Sequence, residues 1–414
     1  MKRLVCGVSL GIALLGGARA GHAAVTLTPS LSVAEYYTDN LFFLQYAKVG
    51  DFSTSVSPGL ALAYEGRSMT FDASYRGTQE YHQRSAENRY SESAAAHAAF
   101  PWLESVATGL TLELSAGVNR GAELPAFSYD EALREGNEGI QLPRVEAVRK
   151  RAGAVLGYQW SLNTTGTLAY QFSSTHFEPF DLARLADIID VTPGLEVQMQ
   201  DSSVRDLSAE LRHRWSELLT LTLRPGRSVT TFKSPPEALF ELPPDDRVTL
   251  RISGGAEYRM SPTRTVDGNL GVMAIEDDRL RLTMDLGATE TLRDGKLTLR
   301  YHRGAGTGGG VTRNVTLTQR LTARLVKNLG TRASWNALVG YSRTFSIPER
   351  TTDRLVRVST YELGAGLDWS LLSWLSASLS YSYLTQRTQG VSIEAERNLV
   401  AISLTAAAPW RVIR

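Results

Sequence analysis

Arginine recurs at alternate positions through the middle and end of this chain. Arg149, Arg151, Arg205, Arg212, Arg214, Arg224, Arg247, Arg251, Arg259, Arg281, Arg320 and Arg324 fall on the polar face of this alternation, with Glu210, Glu257, Asp285, Glu362 and Asp368 interleaved. A guanidinium grips carboxylate or phosphate through two parallel hydrogen bonds, so one wall of such residues would favour anionic polar solutes. The competing reading is an internal network of ion pairs that rigidifies a scaffold. The interleaved acids and a net charge of +1 favour that network, and they leave no electrostatic footprint for nucleic acid.

Other chemistry is less well supported by spacing. His82, His97, His176, His213 and His302 are candidates for general acid–base work, the first and third with Glu80, Glu87 and Glu178 nearby, but no nucleophile motif accompanies them, and an enzyme is not expected. Glu123, Asp130, Glu131, Glu135 and Glu138 match no fixed calcium loop, so no metal or cofactor site is assigned. The glycine run 304–310 lacks the Lys-Ser/Thr of a phosphate cradle and reads as a hairpin loop. The only cysteine, Cys6, precludes disulfides and thiolate metal sites downstream of it.

The elements that must carry the arginines are strands. From Arg313 to Phe345, Val315, Leu317, Leu321, Ala323 and Leu325 alternate with Asn314, Thr316, Thr318, Arg320, Thr322 and Arg324; after Lys327–Gly330 the alternation resumes with Ala333, Trp335, Ala337, Val339 and Tyr341. Successive strand side chains point to opposite faces, so one wall is apolar and the other polar. Such segments are long enough to cross a bilayer, which a tilted strand does in about 9–11 residues. The expected fold is all-β: a transmembrane antiparallel up-and-down β-barrel, apolar wall to lipid and arginines to the lumen. Eighteen segments fit this pattern, and sixteen is the alternative because 264–303 is weakly patterned. With an even count the termini share one side, and short and long connections sort by parity, the short ones periplasmic. Six of the seven tryptophans, Trp102, Trp160, Trp215, Trp369, Trp374 and Trp410, fall at periplasmic strand ends, as an interfacial girdle requires.

Residues 1–24 read as a cleaved signal peptide: Lys2 and Arg3, an apolar core Leu4–Leu15, and the small-residue site Ala18-Arg19-Ala20. Residues 25–414 then form the barrel. In the loop after Pro179, residues Phe180–Val191 suggest a short amphipathic helix at the mouth, either a gate or a surface loop.

The stretch Thr28-Pro29-Ser30-Leu31-Ser32-Val33, then Tyr37-Thr38-Asp39-Asn40-Leu41 and Val56-Ser57-Pro58-Gly59-Leu60, resembles the opening of the bacterial β-barrel porin type 2 family. The likeness covers roughly residues 28–82. It includes outer-membrane proteins associated with exopolysaccharide and PEP-CTERM (exosortase) gene clusters. The resemblance implies an outer-membrane location, a porin or channel role in polysaccharide export, and no catalytic residues. Its expected partners are outer-membrane lipid and lipopolysaccharide, the barrel-insertion machinery, polysaccharide and export proteins. Chains of this kind often end on an aromatic residue; here the last strand is expected to end at Pro409-Trp410. The alternative role is a plugged or structural barrel anchoring a secretion assembly.

Overall fold

The computed structural model describes residues 24–41, 48–84, 88–122, 146–177, 201–233, 245–275, 279–306, 316–346, 357–389 and 393–413. The expected signal peptide, the acids at 123–138, the Phe180–Val191 helix and most of the 304–310 glycine loop lie outside these residues.

Alternation of small or apolar with polar residues produces a meander of long antiparallel strands. These are β1 (Ala24–Thr38), β2 (Asp51–Glu65), β3 (Thr70–His82), β4 (Arg89–Ala99), β5 (Leu110–Ala122) and β6 (Glu146–Ser161). The wall continues with β7 (Thr164–Phe177), β8 (Asp201–Arg214), β9 (Leu219–Lys233), β10 (Asp245–Arg259), β11 (Arg264–Ile275) and β12 (Arg279–Leu292). It is completed by β13 (Gly295–Gly306), β14 (Thr316–Leu329), β15 (Ala333–Ser346), β16 (Arg357–Leu372), β17 (Leu375–Gln389), β18 (Ile393–Ala407) and the short β19 (Trp410–Ile413). Each strand pairs with the next, and β1 also pairs with β18, Val33 opposite Leu404. The result is a closed 18-strand antiparallel barrel, with β19 continuing the last strand. Closure leaves no exposed edge, the condition for a sheet to lie in hydrocarbon.

Following opposed residues once around the wall returns to β1 about 22 residues from the start, a shear that tilts the strands about 40° and gives a backbone radius of about 18 Å. The outer wall carries Leu31, Leu60, Leu156, Leu168, Leu207, Leu250, Leu270 and Leu363, all exposed from the protein because lipid is their solvent. The six tryptophans of the expected girdle are all exposed, from 45% at Trp102 to 68% at Trp215. Apart from residues 100–109 between β4 and β5, the periplasmic connections are short, such as Asn163 with its flanks between β6 and β7 and Asp294 between β12 and β13. Gly330, with φ of +75°, turns the chain between β14 and β15.

Four details depart from the sequence expectation. The alternative of sixteen strands is excluded, because 264–303 holds three well-paired strands. Alternation in the sequence runs through 88–102 and 105–119 and leaves only Leu103–Glu104 for a turn, but the connection after β4 holds a one-turn helix, α1 (Leu103–Val106), and β5 begins at Leu110. Pro101 ends the strand by having no N–H to give the ladder, while its carbonyl accepts from the Glu104 amide, and Gly109 at φ +84° resets the direction. Pro58 has no N–H for a ladder, which from the sequence alone points to a bulge or a strand end, yet it lies inside β2 opposite Leu31; it interrupts pairing with β3 between Val56 and Gly59 without shifting the register. The last strand, expected to run unbroken to Trp410, breaks at Ala408-Pro409 for the same missing donor, and Trp410–Ile413 resumes pairing with β1.

Candidate functional site

The arginines reach the lumen by strand parity. On β8, Leu207 and Leu211 face lipid, so Asp206, Glu210, Arg212 and Arg214 face inward. Residues directly opposed across a ladder share a face. Through the registers of β8 to β16, Arg224, Arg251, Arg259, Arg281, Arg320 and Arg324 therefore point inward, as do Glu257, Asp285, Glu362 and Asp368. Arg149, Arg151 and Arg247 do so as well. Arg205 does not. It stands two residues from Leu207 on the same strand, hence on the lipid-facing wall, and the expectation that it lines the lumen is corrected. The error arises because polar residues also occupy the outer wall beyond the hydrocarbon zone, where polarity no longer reports the face.

Five inward arginines meet an acid. Arg212 Nη2 donates to Glu257 Oε2 at 2.7 Å, Arg224 Nε to Glu210, and Arg251 Nη2 to Asp206 Oδ1 at 2.7 Å. Arg300 lies 3.7 Å from Asp267 and 3.8 Å from Asp285, whose other oxygen is 3.4 Å from His302. Arg320 donates to Glu362 at 3.3 Å. Arg214 bonds the Asn163 carbonyl oxygen at the periplasmic rim.

Four of these pairs skip a strand, and three of the four pass over a glycine. A Cβ at Gly226 would come within 2.6 Å of Arg251 Nε, at Gly287 within 2.3 Å of Asp267 Oδ1, and at Gly340 within 3.2 Å of Glu362 Oε2. The missing side chain on β9, β12 or β15 is the space in which the charged group lies. Sequence reading had passed over Asp206, Asp267, Arg300 and these glycines; an inward glycine flanked by opposite charges on the two neighbouring strands is the signal, and it appears only once the register is known.

The lumen is not uniform around its circumference. Arg212, Arg224, Arg251 and Arg300 are 46–54% exposed. Arg320 and Glu362 are 17% and 11% exposed. Inward residues of β14 to β18 and of β1 and β2, among them Thr318, Leu338, Thr360, Leu384, Arg397, Ala34 and Ser55, are buried. Water therefore reaches the middle and periplasmic part of the charged wall of β8 to β13, while the opposite wall is covered already at mid-height; toward the extracellular end both are covered, with Thr230, Phe232, Arg247 and Met273 buried on the charged side. At the periplasmic mouth of that covered wall, a cavity of about 530 Å³ is lined by polar inward groups including Ser334, Asp368, Ser378 and Ser403.

The histidines are dispersed. His82 is buried in the lumen with Nδ1 3.3 Å from Asp51 Oδ2 and Nε2 3.5 Å from Glu80 Oε2. His97 lies 3.7 Å from Glu113, and His176 bonds Asp201 on the outer wall. His213 bonds Thr164 Oγ1 at 2.9 Å, also on the outer wall. The structure brings no two of these histidines to one site. Among the described residues, no group of three or more His, Cys, Asp or Glu is arranged to hold a metal ion.

An apolar outer wall, a polar lumen, closure without an edge and an exposed tryptophan rim make this a β-barrel of the bacterial outer membrane. No protein-family model matches the sequence, and no curated protein is similar to it. Solved structures are similar in fold. The siderophore receptor PirA from Pseudomonas aeruginosa aligns over 92% of this chain and 80% of its own, at 12% identity and a TM-score of 0.49. Pseudomonas aeruginosa OpdQ aligns over 94% and 98%, at 10% identity and a TM-score of 0.45. The FrpB iron transporter from Neisseria meningitidis aligns over 92% of this chain and 64% of its own, at 10% identity and a TM-score of 0.47.

Proposed function

We propose that this barrel is a passive channel for polar, preferentially anionic solutes, a porin or export-associated pore. Its conduit follows the charged wall of β8 to β13. The carrying observation is the half-exposed state of Arg212, Arg224, Arg251 and Arg300 on that wall, set against the covered lumen of β14 to β2. Paired charges of both signs hold water and weakly contact a solute without trapping it, which conduction requires. Resemblance of residues 28–82 to the β-barrel porin type 2 proteins of exopolysaccharide clusters supports an acidic polysaccharide as the solute. The arginine–acid ladder suits it, since carboxylates of a sliding chain can exchange with Asp206 and Glu210 for the same guanidinium groups.

The second reading is a plugged or structural barrel, favoured by the buried luminal face of β14 to β18. Conductance of the refolded protein in a planar bilayer separates them. Stable current that anionic oligosaccharide blocks supports the channel; a folded barrel, shown by heat-modifiable gel mobility, that passes no current refutes it.

A further inference from the structure

The outer wall, like the lumen, holds charges without an acid partner. Lys150 on β6, Arg205 on β8 and Arg227 on β9 share the lipid-facing side with Tyr170, Leu207 and Leu250. All three are exposed. Among the described residues none of them meets an acid. The acids of the same face, Glu146, Asp201 and Asp246, lie farther toward the extracellular end, four residues beyond Lys150, Arg205 and the Leu250 opposite Arg227 respectively, and Asp201 is bonded to His176.

Register brings the three cations together. Arg227 is opposite Leu207, and Arg205 is two residues along from Leu207, so the two arginines are diagonal neighbours about 7 Å apart at their backbones. Lys150 is opposite Ser174, which is opposite Ser203, itself two residues from Arg205. When the climb of the rows from the shear is removed, the three sit within about 3 Å of one height. Arg120 on β5 stands at this height too, with Glu92 directly opposite.

The height identifies the partner. Lys150 and Trp160 lie ten positions apart on β6, and Arg205 is ten positions from Trp215. Ten residues at about 3.3 Å each, tilted about 40°, span about 25 Å, the height of the apolar band of such barrels. The tryptophans mark the periplasmic interface, so the cations lie at the outer-leaflet interface. The outward residues at this height elsewhere on the wall are mostly neutral or acidic, Tyr341 on β15, Tyr383 on β17 and Glu35 on β1; apart from the isolated Arg303 on β13, the cations are concentrated in the sector of β5 to β9.

We propose that Lys150, Arg205 and Arg227 form a site for the phosphate groups of an anionic glycolipid of the outer leaflet. Its acyl chains lie on the apolar wall below, over Phe172, Tyr170, Leu207 and Leu250. Arginine supplies paired donors to phosphate, lysine a point charge, and the Ser174 and Ser203 hydroxyls between them face the same layer. This site rests on the barrel fold and is independent of transport.

The test is native mass spectrometry of the refolded barrel in detergent with bisphosphorylated lipid A. Folding of each variant is monitored by heat-modifiable mobility. The triple variant K150Q/R205Q/R227Q is expected to bind at least tenfold more weakly, and R387Q, on a cation of another sector that is bonded to Glu394, to bind as wild type. Dephosphorylated lipid A should bind wild type as weakly as lipid A binds the triple variant, and inorganic phosphate at millimolar concentration should not compete. Equal binding by folded wild type and triple variant overturns the site, leaving side chains that merely reach for water. Full competition by inorganic phosphate overturns the lipid assignment.

Discussion

Removing the acids of the wet wall should sharpen the anion preference of the lumen. In the variant D206N/E210Q/E257Q, Arg251, Arg224 and Arg212 lose their partners while the strands keep their shape. The arginines are half exposed and none of the acids is fully buried, so each pair contributes about 1 kcal/mol to stability and the barrel should still fold. An ion passing about 8 Å from one uncompensated charge in water feels about 0.5 kcal/mol, reduced to about 0.2 kcal/mol by screening at 0.1 M salt. Three such charges sum to about 0.7 kcal/mol, favourable to an anion and unfavourable to a cation, so the anion-to-cation permeability ratio should rise about tenfold. The assay is the reversal potential across a planar bilayer under a salt gradient. Raising the salt to 1 M should abolish most of the shift, because the screening length falls to about 3 Å. A conducting variant whose ratio changes by less than about twofold at low salt would show that the current does not run along β8 to β10, and the assigned conduit would be wrong.

The covered and wet walls should respond differently to the same substitution. R320M leaves the mostly buried Glu362 without its ion-pair partner and should destabilise the barrel by about 3 kcal/mol, whereas R212M on the exposed wall should cost less than about 1 kcal/mol; urea unfolding in liposomes measures both. Gly226→Leu places a side chain where Arg251 lies and should alter conductance and selectivity, with stability changed by less than about 1 kcal/mol because no positive φ is required there. An unaltered current in G226L would show that the Arg251 guanidinium lies outside the conduit. Tryptophan emission should be quenched more by lipids brominated near the headgroup than near the acyl terminus, since the exposed tryptophans cluster at the periplasmic rim; the reverse order would place them in the hydrocarbon.

The number of strands, their order and their facing were legible in the sequence because side-chain alternation with period two is a local property. Leu317, Leu321 and Ala323 announce a lipid-facing wall without any knowledge of what lies beside them, and the parity of short and long connections then orients the barrel. Local backbone chemistry was legible less well. Pro58 and Pro409 are the same residue type with the same missing donor, yet one is absorbed within β2 and the other breaks the last strand, because the outcome depends on whether neighbouring ladder bonds hold the register.

Charge was legible as composition but not as pairing. That Arg251 reaches Asp206 over Gly226 depends on three strands being set in register, and this register is a property of the closed wall. Arg205 illustrates the same limit from the other side. By itself it is one more arginine in an alternating series, and only its distance from Trp215 along a tilted strand places it at the outer-leaflet interface, facing lipid. Periodicity determined which residues share a face; closure and shear decided how high each stands and what it meets, because these are set by all eighteen strands together.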